Sequence, residues 1–189
     1  MVNFYPQQYN NDKPLRINHN YLTSQFSDYD VILDKIKQVV LNNDFTLGNL
    51  VDEVEELIAK EAQTKYAIGV GSGTDALFLS MKALGISKGD EVLTTTYTFY
   101  ATVGAIVTAG ATPVFCDCKE DYNINPDELE SRITSKTKAI IPVHWAGKPC
   151  DMDRITSIAK KFSIPIIEDA CHSLQAELNN KRTGGLGDI

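Results

Sequence analysis

Basic residues, sulfur and long apolar runs are all scarce in this chain. Lys and Arg number 18 against 25 Asp and Glu among 189 residues, a formal charge of −7, and no segment gathers the basic ones together. That leaves no electrostatic footprint for a nucleic-acid partner. No window has the uninterrupted apolar length that a bilayer-crossing helix needs, and Met1 to Arg16 is too polar for a signal peptide, so no membrane association is expected. The four cysteines, Cys116, Cys118, Cys150 and Cys171, are irregularly spaced, which points to reduced thiols in a cytoplasm instead of a disulfide scaffold. Neither they nor His19 and His144 stand at metal-ligand spacing, so no metal is expected. A G-x-S-x-G elbow is also missing, because Gly71-Ser72-Gly73 lacks the intervening residues, and this excludes that route to a Ser-His-Asp hydrolase.

What is present is the composition of an ordinary globular domain, with 43% apolar and 23% charged residues. Val31 to Leu41 and Leu50 to Ala62 carry apolar residues at helical spacing and read as amphipathic helices. From Tyr66 onward, short apolar runs alternate with helical stretches. The strand candidates are Tyr66–Val70, Glu91–Thr95, Thr112–Cys116, Ala139–Val143 and Ile164–Glu168. Between them lie helix candidates at Thr74–Leu84, Thr98–Ala109, Pro126–Ile133 and Met152–Phe162. This order predicts an α/β domain with a mainly parallel central sheet flanked by helices. Near the end, Leu174–Leu178 and Lys181–Thr183 read as a hairpin turning on Asn179-Asn180. The organisation expected is an N-terminal arm over residues 1–28 and one domain over residues 29–189.

In such a domain, ligands gather where strands end and loops lead into helices, and three of these loops carry chemistry. The first, Gly69-Val70-Gly71-Ser72-Gly73-Thr74-Asp75, can hold an anion on free backbone N–H groups and hydroxyls, or can simply cap its helix. It is not a dinucleotide fingerprint, which would need glycine at position 74, where Thr74 stands. The second, Thr94 to Thr102, offers an aromatic and several hydroxyls to a planar ligand, or packs under the sheet edge. The third ends an apolar strand on Glu168-Asp169-Ala170-Cys171-His172. Charges at that position require partners. A carboxylate could hold a protonated ring nitrogen while the imidazole reaches another polar atom of the same ring; alternatively Asp169 and His172 could form an acid–base pair or ligate a metal.

Further segments stand in order with these loops: Phe45-Thr46-Leu47-Gly48, Ser72-Gly73-Thr74-Asp75-Ala76-Leu77, Gly89-Asp90-Glu91-Val92, Thr98-Phe99-Tyr100-Ala101-Thr102, Gly110-Ala111-Thr112-Pro113-Val114-Phe115, Lys138 to His144, and Glu168 to His172. In that order, from about Leu15 to Ile189, the chain resembles the DegT/DnrJ/EryC1/StrS sugar aminotransferases, pyridoxal-phosphate enzymes of fold type I. The resemblance implies the large cofactor-binding domain of such an enzyme. It places Gly73, Thr74 and Asp75 at the cofactor phosphate, Phe99 on one face of the pyridine ring, Asp169 at the ring nitrogen and His172 at the ring hydroxyl. Cys171, where the family commonly has alanine, would pack on the other face.

The implied reaction moves an amino group from an amino acid such as glutamate to a nucleotide-linked keto sugar, in a homodimer when full length. The family's Schiff-base lysine would fall just beyond Ile189, so the resemblance marks the chain as the N-terminal portion of the enzyme, inactive as a transaminase by itself. The sequence leaves open a nucleotide-sugar dehydratase of the same family and a non-catalytic truncated paralogue.

Overall fold

The computed structural model describes residues 22–189; residues 1–21 of the expected arm lie outside the described residues. The chain divides into two units between Gly48 and Asn49. In the first, α1 (Leu22–Gln25) precedes α2 (Tyr29–Asn42). The second helix stops at Asn43, whose φ of 55° is the left-handed conformation that asparagine tolerates at a helix end.

The second unit opens with α3 (Asn49–Glu61) and α4 (Gly73–Ala83). There follow β1 (Glu91–Thr95), α5 (Tyr100–Ala109), β2 (Thr112–Cys116), α6 (Pro126–Arg132), β3 (Thr137–Ile141) and α7 (Met152–Phe162). The three strands form a parallel sheet in the order β2-β1-β3. Beyond β3 the chain adds parallel bridges, Ile140 to Ile166 and Val143 to Asp169, so residues 166–169 run alongside it. The strand expected at Ile164–Glu168 is thus present as isolated pairings.

Strand geometry sends successive side chains to opposite faces, and the core follows that rule. Val92, Ala139, Ile141 and Ile167 face a cluster with Leu77 and Met81 of α4 and Ala105, Ile106 and Ala109 of α5. Their neighbours Leu93, Ile140 and Ile166 face the other cluster, with Leu129 of α6 and Met152, Ile155 and Ile158 of α7. The result is a helix–sheet–helix sandwich, in which each fully buried aliphatic side chain contributes roughly 1.5–3 kcal/mol.

Local chemistry sets the ends of these helices. Asn125 Oδ1 accepts from the Asp127 amide ahead of Pro126, and Asp151 Oδ1 accepts from the Arg154 amide. Gly110 ends α5 at φ 94°, and a Cβ there would stand 3.2 Å from the Lys88 nitrogen, so glycine is required both by conformation and by space. The expected hairpin forms as β4 (Glu177–Leu178) against β5 (Lys181–Arg182). Its turn residues Asn179 and Asn180 have φ of 53° and 63°, the left-handed pair that a tight hairpin demands.

Tyr66–Val70 is not a strand. Tyr66 and Ile68 are strongly exposed, and the run has no strand partner among the described residues. Nor is any helix of the described residues long and apolar enough to cross a membrane.

Candidate active site

All four parallel segments end at the same edge of the sheet, and the loops leaving β1, β3 and the 166–169 segment help to enclose a cavity of about 230 Å³. Gly73, Thr74 and Leu77 line it from the start of α4, and Thr98, Phe99, Ala101 and Thr102 from the start of α5. Val143, Asp169, Cys171 and His172 complete the wall. Six of the seven residues expected at the site are therefore brought together.

Asp75 is the exception. Its amide donates to Ser72 Oγ at 3.1 Å, and its carboxylate accepts the Ser72 hydroxyl at 2.9 Å. Residue 75 is thus part of the helix cap and does not line the cavity. The physical reason is reciprocal capping, which ties up the amide at the third helical position and the carboxylate together. The amides of Gly73 and Thr74 precede the first intrahelical bonds and make no hydrogen bond among the described residues, so they remain as donors for an anion. Glycine at position 73 also permits close approach, since a Cβ there would stand 3.1 Å from Cys171 Sγ.

At the floor of the cavity, Asp169 is 7% exposed. Thr102 Oγ1 donates to its Oδ2 at 2.8 Å, and the Cys171 amide donates to Oδ1 across a longer 3.4 Å. With its proton committed to Asp169, Thr102 accepts from the Thr98 hydroxyl at 2.8 Å. The two threonines, one turn apart, thus form a relay that orients the carboxylate. The sequence offers the hydroxyls of this loop to a ligand without naming either as a partner of Asp169; their spacing of four signals only that the two can bond each other.

Phe99 is 58% exposed, its ring 4.3 Å from that of Tyr100. Burial first, and then the negative charge of Asp169, push the Cys171 thiol up to about 11. The third-loop thiol is accordingly held protonated near neutrality.

Behind this wall stands a polar pair that the sequence did not reveal. His144 Nε2 lies 2.8 Å from Glu168 Oε2, both side chains being buried. The amides of Gly184, Leu186 and Gly187 donate to the same carboxylate. Burial opposes ionisation of Glu168, but the bonds from His144 and from the glycine amides outweigh it and hold the carboxyl below its ordinary value. Among the described residues, no three His, Cys, Asp or Glu side chains are grouped to hold a metal.

A phosphate-ready helix start, a buried carboxylate on a hydroxyl relay, an exposed aromatic face and an imidazole converge on one small cavity. That donor set fits a planar, phosphorylated, nitrogen-containing ring. Comparison with known proteins agrees. Over 161 residues the chain is 41% identical to a UDP-N-acetyl-3-dehydro-α-D-glucosamine 3-aminotransferase of Acidithiobacillus ferrooxidans, covering 85% of this chain and 44% of that one. It superposes on the structure of DesV from S. venezuelae in complex with a ketimine intermediate with a TM-score of 0.84, at 34% identity, over 90% of this chain and 47% of that one. The Bacillus subtilis protein NtdA with bound pyridoxamine phosphate matches at a TM-score of 0.77 and 35% identity, over 79% and 34% of the two chains. The chain spans less than half the length of each. The profile of one family matches residues 28–189, and the chain therefore belongs to the DegT/DnrJ/EryC1/StrS aminotransferase family, whose cofactor is pyridoxal phosphate.

Proposed function

We propose that the protein is a cytoplasmic, homodimeric aminotransferase that uses pyridoxal phosphate to move an amino group from an amino acid, such as glutamate, onto a nucleotide-linked keto sugar. This chain supplies the cofactor-binding domain. The observation that carries the reading is the convergence of Gly73, Thr74, Phe99, Thr102, Asp169 and His172 on one cavity. Likeness to a UDP-sugar aminotransferase supports the substrate class.

Each residue has a task that its surroundings suit. The free amides of Gly73 and Thr74, at the positive end of the α4 dipole, bind the phosphate. Phe99 presents its exposed face to the ring. Asp169, its Oδ2 fixed by Thr102, keeps a proton on the ring nitrogen through Oδ1, because a nearby negative charge favours the charged form of the ring. His172 hydrogen-bonds the ring hydroxyl, and Cys171 packs on the face opposite Phe99. When bound, the cofactor supplies an electron sink for removal of a proton from the amino acid.

The test is titration of the 189-residue chain with pyridoxamine phosphate, followed through the fluorescence of Trp145, its single tryptophan. Saturable binding is expected, weakened at least tenfold by Asp169→Asn. Absence of binding, or binding indifferent to that substitution, would sink the reading.

A further inference from the structure

His172 is exposed and its ring makes no hydrogen bond among the described residues, yet the reading above asks it to meet one atom of a bound ring. An exposed imidazole without a partner samples several rotamers. The aromatic ring that packs against it is Trp145, with centroids 5.1 Å apart and planes at 66°. This is the edge-to-face arrangement that aromatic quadrupoles favour.

Trp145 is itself immobilised from several sides. Its amide donates to Asn123 Oδ1 at 3.0 Å. Asn123 is 2% exposed and donates through Nδ2 to the carbonyls of Lys148 and Pro149, so one buried amide fixes the whole turn. Lys148 adds an ion pair with Asp121 at 2.8 Å. The indole is met edge-on by Tyr97 at 4.6 Å, and Tyr122 packs against Tyr97 with centroids 4.9 Å apart and planes tilted by 35°. Tyr122, Tyr97, Trp145 and His172 leave the carboxyl ends of β2, β1, β3 and the 166–169 segment in turn. The row of rings therefore repeats the spatial order of the strands, and the rigidity of the sheet is carried sideways to the imidazole.

We infer that Trp145 is a positioning residue of the site, holding the His172 ring in the plane in which it meets the cofactor. The inference rests on the proposed cofactor reading. It differs from simple packing in one respect: its effect on the ligand must pass through His172.

A double-mutant cycle tests this. In the 189-residue chain, Trp145→Ala is expected to weaken pyridoxamine phosphate binding roughly three- to tenfold, the scale of one edge-to-face contact, and Trp145→Phe to restore most of it. In a His172→Ala background, Trp145→Ala should weaken binding no further. Because these variants lack the tryptophan, binding is read by calorimetry. Equal weakening in both backgrounds, or none in the parent, overturns the inference. If Trp145→Ala does not fold, Tyr97→Ala removes the support behind the indole and carries the same cycle. Without any cofactor, the His172 ring signals in NMR should shift on Trp145→Ala and stay near parental positions on Trp145→Phe; signals indifferent to both substitutions also overturn it. A chain that binds no pyridoxamine phosphate but shows the expected NMR response defeats the cofactor reading and leaves the positioning contact standing.

Discussion

His144 and Glu168, 24 positions apart, share a hydrogen bond of 2.8 Å in the interior behind the cavity. Its polarity is decided on the far side of the imidazole. The Cys150 amide donates to Nδ1 at 3.0 Å, so Nδ1 carries the lone pair, and Nε2 carries the proton that Glu168 accepts. The carboxylate is then surrounded by donors alone: the imidazole N–H and three amides from residues 184–187. It pins the glycine-rich loop to the end of the segment that bears Asp169.

Glu168→Gln tests that arrangement. The amide group of Gln must point its own N–H donors at one or more of the donors already there, leaving buried groups unsatisfied. Expected is a loss of roughly 2–5 kcal/mol in urea unfolding, the range for breaking a buried charge-assisted network. A loss below about 0.5 kcal/mol, the scatter of ordinary surface changes, would mean the loop is held by something else.

The same carboxylate predicts a pH dependence. Its folded pKa lies below the ordinary 4.5, so folding favours the ionised form. The stabilisation is complete above 4.5 and disappears as the pH falls through the lower folded value. Parent and Glu168→Gln should therefore differ most near neutrality and converge in acid. Unfolding midpoints that stay equally far apart across that range would contradict the sign.

How much of this was legible beforehand differs from residue to residue. The hairpin on Asn179-Asn180 could be read because its geometry is dictated by the two residues that adopt it. The alternation that sends Val92 and Leu93 to opposite faces was likewise local. Tyr66–Val70 misled because an apolar run becomes a strand only if a neighbour offers its backbone. β3 begins at Thr137, two residues before the predicted Ala139, and stops short of Pro142, which has no N–H for the ladder. At the site, Asp169 and His172 stood out as charges at a strand mouth that required partners. That Thr102 would supply one, and that Glu168 would be met by His144 and a loop almost twenty residues on, depended on which strands lie side by side. No spacing along the chain encodes that.

Cys171 yields a prediction about reactivity. Although it is exposed, burial of its sulfur and the adjacent Asp169 raise the thiol to about 11. The thiolate is the reactive species. At mildly alkaline pH, alkylation by iodoacetamide should thus run roughly one to two orders of magnitude slower than for a free cysteine. Asp169→Asn should accelerate it by removing the charge. Peptide mapping after timed labelling measures both rates; rapid labelling of residue 171 in the parent would show that the carboxylate does not govern the thiol.

Thr102→Val separates the orientation of Asp169 from its presence. The substitution keeps the shape of a fully buried side chain but removes the hydroxyl between Thr98 and Asp169. Asp169 Oδ2 then loses its donor in a dry position, a loss of about 1–3 kcal/mol. Thr98, at the cavity rim, can turn to solvent, so Thr98→Ala should cost less. If Thr102 holds the carboxylate in register with the ring nitrogen, affinity for pyridoxamine phosphate should fall alongside stability in Thr102→Val. In Thr98→Ala it should fall only slightly. A Thr102→Val protein with reduced stability but parental affinity would show that Asp169 finds its orientation without the relay, from the backbone pairing of Val143 with Asp169.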